Sequence, residues 1–228
     1  MERARYIGWK KHEYSGAEGW GRFDQAEKND SDQWSYHAVA IAILANSFLR
    51  SQAGVDKQKI GVTGVSWGGV ATCLATGLDS RFNWAAPVYG CGYLGEPGCQ
   101  LYDRNEWDQS LLDRWLKRWD PANYLEDSKI PTLWINGTND ASFPLKSTFR
   151  SADLVNAPTC FRIVPEMLHG HGEVSEDIPE IFEFARIINS NSSLPIEFLD
   201  HQLEGHKLRG STKIKFTTLF RDRGAIFE

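Results

Sequence analysis

The sequence predicts an α/β fold of three layers, in which helices cover both faces of a mostly parallel sheet. Short apolar segments, typical of strands that are covered on both faces, alternate with longer segments that have the periodicity of amphipathic helices. This alternation extends over most of the chain, and repeated strand–helix–strand units produce it. The predicted strands are a segment that begins at Lys59, Phe82–Tyr89, Ile130–Asn136 and Thr159–Val164.

Five helices are predicted around these strands. Ser31 is expected to cap the first helix, which runs to about Ala53 and ends before Gly54. Its expected core face consists of Trp34, Val39, Ile41, Ile43, Leu44 and Phe48. The other helices are Trp67–Gly77, Glu106–Trp119, a short helix that ends near Asn156, and Asp177–Asn189. The expected buried side of the last helix consists of Ile178, Ile181, Phe182, Phe184, Ala185 and Ile188.

The two ends of the chain depart from this alternation. Residues 1–31 are polar and show neither period, which indicates an irregular loop. Asn189–Ser193 is a polar linker, and beyond it Thr212–Phe220 alternates polar and apolar residues with period two, as a half-exposed antiparallel strand does. We therefore expect an α/β domain over residues 1–193 and the start of a small β-rich segment over residues 194–228.

Composition limits the function classes. The chain has 228 residues, 41% of them hydrophobic, and a net charge of −5 with acidic and basic residues mixed throughout. This distribution gives no support to a nucleic-acid or anionic-membrane partner. The longest apolar run, Ala38–Ala45, is too short to span a bilayer, and no apolar segment of a signal peptide follows Met1. Neither a metal site nor a cofactor motif is expected.

The four cysteines leave the compartment open. Cys73 and Cys160 lie in apolar contexts and are expected to be buried small hydrophobic residues. Cys91 and Cys99 bracket a glycine-rich loop and would pair only in an exported protein. The chain is therefore cytoplasmic or, if a preceding segment is missing, exported.

The segment Lys59–Thr72 contains the clearest functional motif. Ser66 lies between Gly64 and Gly68, after an apolar strand and before a predicted helix. This is the G-x-S-x-G pattern of a nucleophile elbow, a turn so tight that side chains at the two glycine positions would collide with the neighbouring strand and helix. The alternative is an ordinary glycine-rich turn, so the serine needs partners elsewhere in the chain.

Two later segments supply those partners. A nucleophilic serine needs a base to accept its proton and an acid to orient that base, and in one large group of enzymes they follow in the order serine, acid, histidine. Asp140 directly follows the third predicted strand, and His169 follows the fourth. Asp140 could instead be a turn former. His171 is the alternative base, although the distance of His169 from its strand favours His169.

The same motifs resemble a group of α/β-hydrolases: the acetylxylan-esterase-like and dienelactone-hydrolase-like enzymes, which are related to the prolyl oligopeptidases. The resemblance covers about residues 32–190. It rests on four segments, Gly61–Gly69, Asp120–Leu125, Ile130–Asp140 and Met167–His171. It implies that Ser66 is the nucleophile, Asp140 the acid and His169 the base. The backbone N–H of Trp67 would be one oxyanion donor. Some such proteins append a β-sandwich, which would suit Leu194 onward.

The resemblance also implies features that the chain lacks. In this fold several strands precede the helix before the elbow, and a loop after one of them provides the second oxyanion donor. Residues 1–31 contain no such strand, so either these residues provide the second donor or the chain is the later part of a longer protein. The strand that is unfinished at Glu228 favours the second expectation. Aromatic residues between the second and third strands would form either a cap over the nucleophile or a helix core: Tyr89, Tyr93, Tyr102, Trp107, Trp115 and Trp119.

The function implied is a serine hydrolase that cleaves carboxylic esters through an acyl-enzyme, with a small ester or an acetylated carbohydrate of the acetylxylan type as substrate. A peptidase of the prolyl oligopeptidase type is the enzymatic alternative. An inactive fragment of a larger hydrolase is the alternative that involves no catalysis. The residues give no indication of oligomeric state.

Overall fold

The computed structural model describes residues 25–99, 108–170, 172, 175, 177–190, 192, 196–204 and 207–214, the last two ranges as backbone. Several predicted features therefore lie outside the described residues. They are most of the irregular loop 1–31, Tyr102, Trp107, His171 and the part of the predicted strand beyond residue 214.

Among the described residues, a parallel sheet of four strands lies between helices, in the order β1-β2-β3-β4. The strands are β1 (Gly61–Val65), β2 (Trp84–Val88), β3 (Thr132–Asn139) and β4 (Thr159–Leu168). Each neighbouring pair is parallel, and the strand order follows the chain order. The predicted parallel sheet is thus confirmed.

In the described ranges, five helices accompany the sheet. They are α1 (Trp34–Ser51), α2 (Trp67–Leu78), α3 (Gln109–Trp119), α4 (Leu145–Leu154) and α5 (Pro179–Asn189). The same ranges contain three short 3₁₀ turns at Asp30–Asp32, Pro121–Asn123 and Leu125–Asp127. No helix in the described ranges has both the length and the apolar character needed to cross a membrane.

The contacts of two neighbouring residues of β2 show which helix covers each face of the sheet. Successive side chains of a strand point to opposite faces of the sheet. The ring of Trp84 contacts the ring of Phe184 on α5 at a centroid distance of 6.3 Å. Ala85 belongs instead to a buried cluster with Ala75 of α2. Helices α2 and α5 therefore cover opposite faces, which confirms the predicted three-layer α/β fold.

The predicted cap of the first helix is wrong. Ser31 lies within the 3₁₀ turn Asp30–Asp32, and Gln33 is the N-cap of α1 without a capping side-chain hydrogen bond. The backbone N–H of Trp34 donates instead to the side-chain Oε1 of Gln25 at 2.6 Å. A residue nine positions earlier thus provides the acceptor that Ser31 was expected to provide.

The predicted core face of α1 is correct in part. Val39 is buried and Ile43 packs against the core, as predicted, whereas Ile41, Leu44 and Phe48 are 60%, 66% and 65% exposed and the unpredicted Asn46 is buried. The reason is that α1 packs on α2, and Asn46 Nδ2 donates to Oδ2 of Asp79 at the end of α2 at 3.0 Å. On α5 the same error affects Phe182, which is 74% exposed, while Phe184 and Ile187 are buried.

The carboxyl-terminal segment forms an antiparallel pair, β5 (Ile196–Glu204) and β6 (Lys207–Ile214). The expectation of β structure beyond residue 194 agrees with this pair, but the strand boundary was misplaced. The predicted strand began at Thr212, close to the end of β6. The domain boundary at residues 193 and 194 remains a prediction.

No disulfide joins the four cysteines, which all lie within the described residues. Cys73, Cys91 and Cys99 are buried, and Cys160 is partly exposed. Burial raises the pKa of both the Cys73 and the Cys91 thiols, so these groups stay protonated and apolar. The conditional pairing of Cys91 with Cys99 is not formed.

Candidate active site

Ser66 occupies a sharp turn between β1 and α2. Its backbone has φ 58° and ψ −118°, a combination that costs a residue with a side chain about 1–3 kcal/mol. Its N–H donates to the carbonyl of Val88 at the end of β2, at 3.0 Å. The turn therefore holds the serine at the carboxyl end of the sheet, where later strands also end. Ser66 is 8% exposed.

The glycines around Ser66 have different roles from those expected. A Cβ at Gly64 would lie 2.3 Å from the carbonyl oxygen of Gly68, so the predicted collision is correct there. At Gly68 a Cβ meets no atom of the described residues within 4 Å. The crowded position of the helix is Gly69, where a Cβ would lie 2.8 Å from the backbone of Gly90. Gly69 lies on the side of α2 that faces the end of β2, and the motif alone does not indicate which side that is.

Asp140 follows the last residue of β3. Its side chain is fully buried, and Oδ1 accepts hydrogen bonds from the N–H groups of Ser142 and Phe143, both at 2.7 Å. The turn itself is fixed by Asn136, whose amide donates to the carbonyl of Phe143 at 2.7 Å. Two backbone donors thus fix one carboxylate oxygen and leave Oδ2 directed at a different partner.

That partner is His169, which follows the last residue of β4. The distance from His169 Nδ1 to Asp140 Oδ2 is 2.9 Å, and the distance from Nε2 to Ser66 Oγ is also 2.9 Å. If the carboxylate accepts from Nδ1, that nitrogen is the donor of the first bond, and in a neutral imidazole Nε2 then accepts from the serine hydroxyl. The structure brings Ser66, Asp140 and His169 into one hydrogen-bonded chain.

The register of the sheet explains why the acid and the histidine meet. Asn139 of β3 pairs with Leu168 of β4. The residues that follow this pair, Asp140 after β3 and His169 after β4, therefore lie beside each other. Between the pairs Gly137–Val164 and Asn139–Leu168, β4 contains two more residues than β3. Glu166 lies in this bulge with φ 60°. Because of the bulge, β4 continues to Leu168, whereas we predicted its end at Val164.

Trp67 is the first residue of α2. A backbone N–H at this position has no acceptor within its own helix, so it is available to a group that lies beside Ser66. The Trp67 ring packs edge to face against Trp34 and Trp115, with centroid distances of 6.4 and 6.0 Å. The described part of the chain contains no strand before α1 that would provide a second donor.

A small apolar crevice, open to solvent, lies between α1, α2 and α3. Its aromatic walls are Trp34, Trp67, Trp115 and Trp119. Trp115 is buried, and the indole N–H of Trp119 donates to Gln33 Oε1 at 2.8 Å. Trp115 therefore fits the interpretation of these aromatic residues as a helix core, and not as a cap over the nucleophile.

The loop after β2 is held by a buried carboxylate. Asp120 accepts hydrogen bonds from the N–H groups of Tyr93 and Leu94, both at 2.8 Å, and from Ala122 at 2.9 Å. Burial raises the pKa of Asp120 despite these donors. Tyr93 has φ 60°, and the guanidinium of Arg150 lies 3.7 Å from the centre of its ring. The backbone beside the elbow is thus fixed by specific contacts.

Sequence reasoning missed two aromatic contacts of the histidine. The ring centroid of Tyr89 lies 4.6 Å from that of His169, and the ring of Phe143 lies 5.6 Å away on the Asp140 turn. Tyr89 was grouped with the aromatic cap, and Phe143 was not considered. The signal that could have identified them is position, since each lies close after a strand whose end faces the serine.

The comparisons agree with this architecture. The sequence profile of the prolyl oligopeptidase family matches residues 14–186. A search of curated protein sequences finds no significant match. Among solved structures, the acetyl xylan esterase of a Paenibacillus species is similar with a TM-score of 0.61 and 21% identity, over 77% of this chain and 59% of that one. An acetyl xylan esterase of a Thermoanaerobacterium species has a TM-score of 0.60 and 15% identity, over 76% and 59%.

A puromycin-hydrolysing peptidase of Mycobacterium tuberculosis is also similar, with a TM-score of 0.54 and 20% identity over 60% of this chain and 22% of that one. At these identities the similarity concerns the fold. The chain spans 59% of the length of the two esterases. The expected relation to the prolyl oligopeptidase group is confirmed, whereas the relation to dienelactone hydrolases stays a prediction.

Proposed function

Because the chain belongs to the prolyl oligopeptidase family of serine hydrolases, we propose that it cleaves carboxylic esters through an acyl-enzyme on Ser66. The observation that carries the proposal is the chain of two hydrogen bonds, each 2.9 Å, from Ser66 Oγ through His169 to Asp140. This is the arrangement in which a histidine can take the proton of a serine that attacks a carbonyl carbon.

The proposed reaction has two halves. Ser66 Oγ attacks the ester carbonyl carbon while its proton passes to His169 Nε2, and the carbonyl oxygen becomes an oxyanion. When this intermediate collapses, the bond to the alcohol oxygen breaks, and the alcohol leaves with the proton from His169. Water then attacks the acyl-enzyme with His169 as base, and the carboxylic acid leaves as Ser66 recovers its proton.

Asp140 and Trp67 have supporting roles in this proposal. Asp140 holds the tautomer of His169 and stabilises the imidazolium that forms, since its Oδ1 is already fixed by two backbone donors. The N–H of Trp67 donates to the oxyanion from the start of α2, where the helix dipole also favours negative charge. A second donor would increase this stabilisation.

We propose small esters or acetylated carbohydrates as substrates. The esterases with similar folds act, by their names, on acetyl xylan, and an acetyl ester is a small carboxylic ester. Peptide amides are the alternative substrate, because the same three residues also cleave amides and peptidases share the fold.

Turnover of short acyl esters and of Xaa-Pro peptides by the wild-type protein and by Ser66→Ala tests the proposal. We expect ester turnover by the wild-type protein and a loss of about 10⁴-fold or more in kcat for Ser66→Ala. A fluorophosphonate probe should label the wild-type protein and not the variant. Cleavage of the peptides alone would favour the peptidase. A folded protein with neither turnover nor labelling would favour the inactive fragment.

A further inference from the structure

Tyr89 lies at the junction of all three proposed catalytic segments. It directly follows β2 and is 1% exposed. Its N–H donates to the carbonyl of Ile135 on β3 at 2.7 Å, and the carbonyl of its neighbour Val88 accepts the N–H of Ser66. The backbone of Tyr89 is thus tied to the strand that leads to Asp140 and to the turn that carries Ser66.

The side chain of Tyr89 reaches the third segment. Its hydroxyl donates to the carbonyl of Gly170, the residue after the histidine. The same carbonyl accepts a second hydrogen bond from Ser175 Oγ at 3.0 Å. The Tyr89 ring also contacts the imidazole of His169, with a centroid distance of 4.6 Å and an angle of 53° between the rings.

These contacts act on the orientation of the His169 ring. Rotation of an imidazole about its last side-chain torsion meets only broad preferences, so neighbouring atoms must set the plane of the ring. Asp140 fixes Nδ1, and a ring beside the imidazole limits rotation about that bond. The hydroxyl fixes the backbone from which the imidazole projects. The left-handed φ of 33° at Tyr89 is an unusual conformation for a tyrosine.

We propose that Tyr89 is a positioning residue, which directs Nε2 of His169 at Ser66 Oγ by holding the Gly170 carbonyl and by limiting rotation of the imidazole. The role rests on the proposed function, because a precise direction of Nε2 matters only if His169 takes the proton of Ser66. Tyr89 itself does not exchange a proton in this role.

Three variants separate the contributions. Tyr89→Phe removes the hydroxyl and keeps the ring, Tyr89→Leu removes both, and Ser175→Ala removes the second donor to the Gly170 carbonyl. A matched control is Tyr124→Phe, because the Tyr124 hydroxyl also donates to a backbone carbonyl, that of Arg118, at 2.8 Å. Urea unfolding and near-ultraviolet circular dichroism check that each variant is folded.

For Tyr89→Phe we expect kcat for a short acyl ester to fall by about 10- to 100-fold, with KM within about twofold of the wild-type value. Tyr89→Leu should lose more and Ser175→Ala less, and Tyr124→Phe should match the wild-type protein. A purely structural role would reduce the folded fraction without this separation of kcat from KM.

A second measurement needs no substrate. We expect the proton between His169 Nδ1 and Asp140 to resonate far downfield in a proton NMR spectrum of the wild-type protein. Tyr89→Phe should broaden or shift this resonance, and Tyr124→Phe should not. An unchanged resonance together with an unchanged kcat in Tyr89→Phe would overturn the proposal. If the wild-type protein has no turnover and no labelling, the proposed function fails, but the resonance still decides whether Tyr89 positions His169.

Discussion

Helices α1 and α2 are consecutive and both rich in apolar residues, yet they lie in opposite environments. Seven of the twelve residues of α2 are buried, whereas only Ser35, Val39 and Asn46 are buried among the eighteen of α1. The difference follows from their neighbours, because α2 packs on β1 and β2 and α1 packs on α2. Apolar periodicity shows that a helix has an apolar side, but the neighbouring elements decide which side is buried.

The two helices also differ in their relation to the proposed catalytic residues. Helix α2 begins directly after Ser66, and its first turn contains Trp67 and Gly69. The packing of α2 on the sheet therefore fixes the position of the nucleophile elbow. Helix α1 contributes no residue to the hydrogen-bonded chain of Ser66, His169 and Asp140. Substitutions in the two helices should therefore change the free energy of unfolding by different amounts, in a predictable order.

The largest difference should arise at two adjacent glycines of α2. Gly69→Ala would place a Cβ 2.8 Å from the backbone of Gly90, which cannot move aside as a side chain can. We expect a loss of about 3 kcal/mol in the free energy of unfolding. Gly68→Ala is the matched control, and the higher helix propensity of alanine should leave it neutral or up to about 1 kcal/mol more stable. Urea unfolding measures both, and equal losses would show that α2 is not pressed against β2.

A pair of leucines compares the two helices directly. Leu74 of α2 is 3% exposed and belongs to the main core, while Leu44 of α1 is 66% exposed. Leu74→Ala should cost about 3 kcal/mol through lost burial and a residual cavity. Leu44→Ala should change the free energy of unfolding by less than about 0.5 kcal/mol. A large loss for Leu44→Ala in urea unfolding would mean that the apolar side of α1 is covered.

The smallest effect concerns the polar contact between the helices. Burial raises the pKa of Asp79, but hydrogen bonds from Arg81 and Asn46 outweigh it and hold the pKa below the ordinary value of 3.8. The stabilisation from these bonds is therefore complete above that pH, and it is lost as the pH falls through the lowered pKa. Asp79→Asn should reduce the free energy of unfolding by about 1 kcal/mol at neutral pH.

Unfolding at a series of pH values checks this prediction. The difference between the wild-type protein and Asp79→Asn should shrink as the pH falls below about 3.8, because the protonated carboxyl then resembles the amide. A difference that stays constant down to the acid transition would contradict a lowered pKa. Asp56→Asn is a suitable comparison at an exposed position beside Lys59.

The sheet and the three proposed catalytic residues could be predicted because they depend on the order of elements along the chain. Ser66, Asp140 and His169 each follow an apolar strand, and parallel strands bring their carboxyl ends to one edge. Errors arose where contacts distant in sequence decide. Gln25, and not Ser31, provides the hydrogen-bond acceptor at the start of α1. Phe48 is exposed because α1 packs on α2 through a different side. Tyr89 was grouped with the aromatic cap because no motif marks its hydrogen bond to Gly170, although its position after β2 is a signal that could have been used.

The pairing of Asn139 with Leu168 has a consequence for how this protein can vary. The ladder between β3 and β4, and not the connection through α4, sets the distance between Asp140 and His169. Insertions in the surface turns of the segment 144–158 should therefore be tolerated. Deletion of one residue within β4 would turn its following side chains to the opposite face and separate the histidine from its acid. Natural variation in length should accumulate in this connection and avoid the two paired strand ends.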